Sequence, residues 1–321
     1  MLDRRATVLT VIIAGLILAR TSRATAAGLP GETLHVGGAD IAVSFQASSY
    51  PVSRPAMLAW VTKSASAVTE YYGHFPVPHL TVNVIAADRG KGVVFGRTTI
   101  PLAVPLIRVF IGAIATDNDL HRDWVMTHEM VHLAFPSVAP QHHWIEEGIA
   151  TYVEPIARAQ IGDLTDAKVW RDMLDGMPRG LPDAGDRGLD NTHTWGRTYW
   201  GGALFCLLVD VEIHQRTQNR FGLQDALRAI AKSGSMLVDW PLERALKTGD
   251  DAVGVPVLME LYAKMKNAPY DPNLAQLFGR LGVKAAGDAV TFDASAPDAS
   301  IVTAIMRPRT PRLRRIKVRP R

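Results

Sequence analysis

Residues 127–135, "THEMVHLAF", place a glutamate between two histidines four positions apart. On a helix, residues at that spacing lie one above the other. Trp124, His128 and His132 therefore share one stripe, and two imidazoles separated by a turn can bind the same tetrahedral zinc. Glu129 sits about 100° around from His128. It would stand beside such a metal, where a base must be to deprotonate a water bound to it. His-Glu-x-x-His thus encodes ligand, base, ligand. The same spacing also suits a helix whose two histidines are satisfied in an ordinary core.

A catalytic zinc takes a third protein ligand and keeps one position open. Residues 142–154, "HHWIEEGIATYVE", supply two acids on what reads as the next helix, Glu146 and Glu147. The interval lets the first helix finish, a loop turn and a second helix cross beneath the metal. Gly148 and Ala150 would let those two helices approach closely. Glu146 shares its face with Ile149 and Val153, and Glu147 shares its own with Thr151 and Glu154. Spacing leaves both acids open as the ligand. His142 and His143 are rivals that also read as loop residues.

"HEMVH" followed by "WIEEGIATYVE" resembles the gluzincin zinc metallopeptidases, the thermolysin-like enzymes of the MA clan, in which a Trp-x-x-Glu-Gly-x-Ala-x-Tyr segment provides the third zinc ligand. The resemblance implies that Glu147, the acid before the glycine, is that ligand, and that Glu146 stands where relatives often carry Asn. A second block, "RTYWGGALFCLLVDVEI" at residues 197–213, resembles the Tyr-x-x-Gly helix of gluzincin aminopeptidases, especially the glycyl aminopeptidase group. By that match Tyr199 stabilises the oxyanion of the tetrahedral intermediate, a sensible use of a phenol aimed at developing negative charge. His193, just upstream in "DNTHTWGRTYW", is a candidate second donor or a loop-ordering residue, and Asp190 a candidate to orient a zinc ligand from behind. The two blocks lie within residues 119–230. One feature departs from the family: where relatives carry an upstream Gly-x-Met-Glu-Asn strand whose Glu grips a free amino terminus, this chain has "GVVFG", residues 92–96, without an acid. Such a strand can still pair with an extended peptide. The resemblance therefore implies peptide hydrolysis and leaves open endopeptidase against aminopeptidase action.

The elements around these motifs read as mixed α/β at the front and helical behind. "ETLHVGGADIAVSFQ" alternates like two strands turning at Gly37-Gly38. "AMLAWVTKSASAVTEYYGHF" reads as an amphipathic helix closing at Gly73, and "HLTVNVIAA" as a strand. "GVVFGRTTIPLAVPLIRVFIGA" reads as two strands around a Pro-punctuated loop. "DNDLHRDWVMTHEMVHLAF" is predicted to be one helix, capped by Asp117 or Asp119 and ending before Pro136. Further helices are expected in 144–162, near 165–175, from about Thr198 to Thr217, and in "LQDALRAIAKSG", "VPVLMELYAKMK" and "NLAQLFGRLGV". "AVTFD" reads as a late strand.

The chain termini read differently. Arg4 and Arg5, an apolar run from Ala6 to Ala19 and the small residues Ala24 to Ala27 have the three parts of an export signal. The run falls short of the roughly 20 residues a comfortable span needs. Export as a periplasmic or secreted protein is expected, or an N-terminal anchor if the signal is not cleaved. The net charge of +4 is carried by the last fifteen residues, whose seven Arg and one Lys meet no acid. Without those eight charges the rest of the chain stands at −4. That tail reads as a solvated extension, or as an arm for an anionic surface; nucleic acid is not expected as a partner of an exported protein. The single cysteine, Cys206, excludes an internal disulfide and sits in an apolar helical run.

The expected fold is α+β and thermolysin-like: residues 1–26 a signal peptide, 27–115 a mixed α/β part with an edge strand, 116–306 a mainly helical zinc-binding catalytic part, and 307–321 a basic tail. The expected function is zinc-dependent peptide-bond hydrolysis on a peptide or protein substrate, with Zn2+ on His128, His132 and Glu147, Glu129 as base, and Tyr199 with His193 at the oxyanion. A non-catalytic zinc-stabilised peptide-binding protein and a zinc hydrolase of a non-peptide amide are the alternatives. No oligomeric state is implied.

Overall fold

The computed structural model describes residues 31–308. The expected signal peptide, and the basic tail beyond residue 308, lie outside the described residues.

Five strands form one mixed sheet in the order β1-β2-β3-β5-β4. They are β1 (Glu32–Val36), β2 (Ala39–Phe45), β3 (His79–Ala86), β4 (Val93–Thr99) and β5 (Leu106–Ile111). β2, β3 and β5 run parallel, while β1 and β4 flank them antiparallel. The period of two decides what faces inward. Ile41, Val43, Val82, Val84, Ile107, Val109 and Ile111 are fully buried, and the residues between them point to the other face.

Parallel strands need a crossover, and β2 reaches β3 through helix α1 (Arg54–Tyr72). Ser53 caps α1 by accepting from the Ala56 N–H, Pro55 sits in its first turn, and Gly73 ends it at φ +81°. Only glycine adopts that backbone readily, so the boundary at Gly73 expected from sequence is the one observed.

The segment 117–135 is not one helix. It divides into α2 (Asp117–Arg122), α3 (Val125–Val131) and a tight 3₁₀ turn over His132–Ala134. Neither Asp117 nor Asp119 is the cap of α2; Thr116 is, in a reciprocal capping box with Asp119. The break is caused by Asp123, whose Oδ2 accepts from the Met126 N–H and from Trp60 Nε1, each at 3.0 Å. A side chain that takes a backbone donor starts a new helix in place of extending the old one.

Behind the sheet, α4 (His143–Gln160) packs on α1 and α3 on one side and on α6 (Gly202–Thr217) on the other. A π-helical turn, Arg197–Gly201, leads into α6. Around these lie α5 (Asp166–Gly176), α7 (Leu223–Ser233), α8 (Leu242–Val253), α9 (Val257–Met265), α10 (Leu274–Leu281), the hairpin β6 (Val283–Ala286) with β7 (Ala289–Phe292), and α11 (Ala299–Met306). Helices α8 and α11 were not expected from the sequence. Among the described residues no helix is long and apolar enough to cross a membrane. The architecture is α+β, a mixed sheet followed by a helical remainder.

Gly148 serves a different neighbour from the expected one. It opens α4 toward α6, not toward the histidine helix: a Cβ there would stand 2.3 Å from the Gly202 carbonyl carbon, and one on Gly202 would stand 2.1 Å from the Trp144 oxygen. The two backbones touch at that pair. A Gly148→Leu substitution is therefore expected to destabilise the fold by about 3 kcal/mol or more, measured by urea denaturation; a variant as stable as the parent would mean the helices do not cross at this point.

Candidate metal centre

α3 carries His128 and Glu129, the 3₁₀ turn that continues it carries His132, and α4 crosses them with Glu147 pointing between the imidazoles. Glu147 Oε2 lies 3.1 Å from His128 Nε2 and 3.7 Å from His132 Nε2. One ligand atom from each of the three side chains falls within 4.8 Å of the others. Donors bound at zinc distances on a tetrahedron stand about 3.3 Å apart, near the two spacings seen here, so these three residues fit one zinc ion. The two imidazole planes are nearly perpendicular, at 87°, with centroids 4.9 Å apart.

The electrostatics suit a cation. Burial, reinforced by the neighbouring His128, lowers the His132 imidazole to about 3, so it is neutral and free to donate a lone pair. Burial works against the Glu147 carboxylate, yet hydrogen bonds from His128 and His143 hold it well below the usual carboxylate range. Among the described residues no other group of three or more His, Cys, Asp or Glu converges in this way.

The other acid and the loop histidines go elsewhere. Glu146 accepts from His143 Nδ1 at 3.0 Å and lies near the Val138 N–H. His143 reaches Glu147 Oε1 at 3.2 Å through its other nitrogen, which orients the ligand carboxylate without joining the triad. His142 is held by Asp190 at 2.9 Å. Asp190 touches no ligand side chain. It accepts from Trp144 Nε1 and Tyr262 Oη, each at 2.8 Å, and so pins the start of the helix that bears Glu147.

Glu129 lies beside the triad, largely buried, under the edge strand β4. Thr98 Oγ1 stands 2.6 Å from Glu129 Oε2 and 2.9 Å from the Glu129 carbonyl oxygen; its one proton favours the nearer, charged acceptor. Burial raises the Glu129 carboxyl above its ordinary value and the Thr98 bond opposes that rise. β4 can come this close only because residue 96 is glycine, where a Cβ would be 2.5 Å from Val125 Cγ1 and 3.0 Å from Glu129 Cγ. Thr98 was not singled out from sequence. It lies in a strand separated from the motif by the whole of β5 and α2, and a lone threonine carries no recognisable pattern.

Tyr199 faces the site from the π turn. Its ring is near-parallel to His128, 18° between planes at 6.3 Å, and stacks on Trp195 at 5.6 Å. Burial, and then the Glu147 and Glu129 carboxylates, push its phenol up to about 12, so it keeps its proton at neutral pH. The turn is held by Arg197, buried and paired with Asp186 at 2.6 Å. His193 stays exposed, lines no part of the cleft and has no hydrogen-bond partner among the described residues.

These groups line a cleft of about 650 Å³ bounded by the β4 residues 93–98, Trp124, Ser137, Met236 and the metal triad. β4 is the sheet's last strand, so its outer edge opens on this cleft.

No protein-family model matches the chain, and neither does any curated protein sequence. Solved structures do. An aminopeptidase N family protein from Idiomarina loihiensis superposes with a TM-score of 0.57 at 14% identity, over 79% of this chain and 49% of that one. The M1 zinc metallopeptidase from Deinococcus radiodurans superposes with a TM-score of 0.50 at 15% identity, over 76% of this chain and 52% of that one. The chain shares the fold of the M1 zinc metallopeptidases. It spans about half the length of these relatives, and the likeness is one of fold.

The ligand assignment makes a direct prediction. Glu147→Ala is expected to lose bound zinc by elemental analysis while Glu146→Ala retains it; full zinc in the first variant would remove Glu147 from the ligand set.

Proposed function

We propose that the chain is a zinc-dependent peptidase. The observation that carries this reading is the pairing of an open-sided set of three ligands with a carboxylate, Glu129, oriented beside them by Thr98. A structural zinc is normally closed by four protein ligands and has no use for a base held next to it. The fold shared with M1 zinc metallopeptidases supports the same conclusion.

His128, His132 and Glu147 would hold the zinc, which when bound supplies a Lewis acid that activates water near neutral pH and polarises a carbonyl. The Glu129 carboxylate accepts the proton of the attacking water and afterwards delivers it to the leaving amine. Its burial favours the first transfer, because a raised pKa makes the carboxylate a stronger base. The Tyr199 phenol donates to the oxygen on which charge develops. An extended substrate lies along the free edge of β4, bonded through its main chain. Because β4 offers Arg97 and no acid to this cleft, it supplies no carboxylate to clamp a free amino terminus, which supports cleavage within a chain.

A zinc-stabilised binding protein is the reading from another class. Glu129→Gln separates the two: it should lower kcat by about 10²–10⁴-fold while zinc content stays unchanged. If the parent protein hydrolyses no member of a peptide library, with or without free amino termini, the binding reading replaces this one. Tyr199→Phe should lower kcat by about 10²-fold, with KM little altered.

The pH profile offers an independent check. The Thr98 bond favours ionised Glu129, so Thr98→Val should raise the carboxyl's pKa. The acidic limb of kcat/KM then moves to higher pH, and an unmoved limb would mean that Glu129 is not the titrating base.

A further inference from the structure

A second cavity, of about 420 Å³, opens on the far side of His128 and Tyr199, which line it together with the metal cleft. Its walls are aromatic. Trp124 and Trp195 leave 52% and 59% of their surface exposed at its rim, and Trp200 and Tyr199 complete the ring. Trp124 stands edge-on to His128 at 5.3 Å, and Trp195 stacks on Tyr199. A group held among these rings is therefore one ring away from a metal ligand and from the phenol.

The rest of the lining is acidic. Glu154, Asp172 and Asp175 face one base, Arg179. The two aspartates are tied to Lys168 and Arg171, neither of which lines the cavity. Glu154 differs from them. It is only 7% exposed, its Oε1 accepts from Arg158, and its Oε2 has no partner among the described residues. Burial raises its carboxyl to about 7, so an entering cation would draw it back to the ionised form. α4 adds a further acceptor. Pro155 has no N–H to offer the Thr151 carbonyl, and both residues line the cavity.

We propose that this cavity is a specificity subsite for a cationic side chain, lysine or arginine, of the substrate residue flanking the scissile bond. Aromatic faces carry negative quadrupole potential and attract a desolvating cation; Glu154 and Thr151, which line the cavity, bring to its wall a carboxylate and a carbonyl that Pro155 leaves without its helical donor. A neutral aromatic side chain brings no charge to match the Glu154 carboxylate. The subsite rests on the peptidase reading for its role, but binding can be read without catalysis.

The experiment uses the full zinc-loaded chain and internally quenched peptides identical except for one residue, arginine, citrulline or tryptophan, placed on either side of the cleaved bond. Citrulline matches arginine in shape and lacks its charge. At one of the two positions arginine is expected to give kcat/KM about tenfold above citrulline. Trp195→Leu should bring that ratio near one, and because the readout is a ratio, any change transmitted through Tyr199 to both peptides alike cancels. In parallel, N-acetyl-arginine amide should quench the tryptophan fluorescence of Glu129→Gln protein, and Trp195→Leu should abolish the saturable change. Equal rates for arginine and citrulline, or a preference for tryptophan, would overturn the subsite and leave the peptidase reading standing. Saturable binding of the amide without hydrolysis of any peptide would keep the subsite and remove the peptidase reading. Neither binding nor hydrolysis would remove both.

Discussion

One carboxylate oxygen, Glu147 Oε2 of α4, approaches two imidazoles, one on α3 and one on the turn that follows it. That contact requires α3 and α4 to cross closely, and several neighbouring contacts hold the crossing. A buried carboxylate is unfavourable unless its oxygens are matched. Here His128 takes one oxygen and His143 the other, and a divalent ion placed among the same donors would supply the larger compensation. α4 is fixed from both ends of the relevant turn. Asp190 gathers His142, Trp144 and Tyr262 at its start, and the Gly148–Gly202 contact seats its back on α6.

The groups proposed to do chemistry come from different layers, and each is oriented by a neighbour from another. Glu129 lies on α3 and is aimed by Thr98 of the sheet. Tyr199 lies on a π turn, a rare widening of the helix that recurs at functional sites, and that turn is anchored by the buried Arg197–Asp186 pair. Removing one partner of such a pair leaves an uncompensated buried charge. The anchoring is therefore rigid in the sense that matters for a base and a hydrogen-bond donor.

A chain of ionic contacts beneath α3 extends the same logic to α1. Trp60 donates to Asp123 at the head of α3, while Lys63 of α1 pairs with Asp163, Asp163 with Arg158, and Arg158 with Glu154 on α4. Glu154 thus links this framework to the second cavity.

Local chemistry is legible in residues that act within one turn or one strand. The pairing of His128 with His132, the stop at Gly73, the alternation in β2 and β3 and the turn at Gly37-Gly38 are all stated by neighbours in sequence, and the structure repeats them. The choice of Glu147 over Glu146 was implied by a resemblance, since spacing left both open; the crossing angle of α4 turns one acid to the imidazoles and the other to His143. The division of residues 117–135 was hidden because Asp123 acts through Trp60, a residue 63 positions away. Thr98, the Gly148–Gly202 contact and the aromatic cavity were hidden for the same reason. Sequence alone determined which side chains were available and the local periods that carry them. Tertiary packing decided which of them meet, because a contact between distant segments depends on backbone separations that no short window of residues encodes.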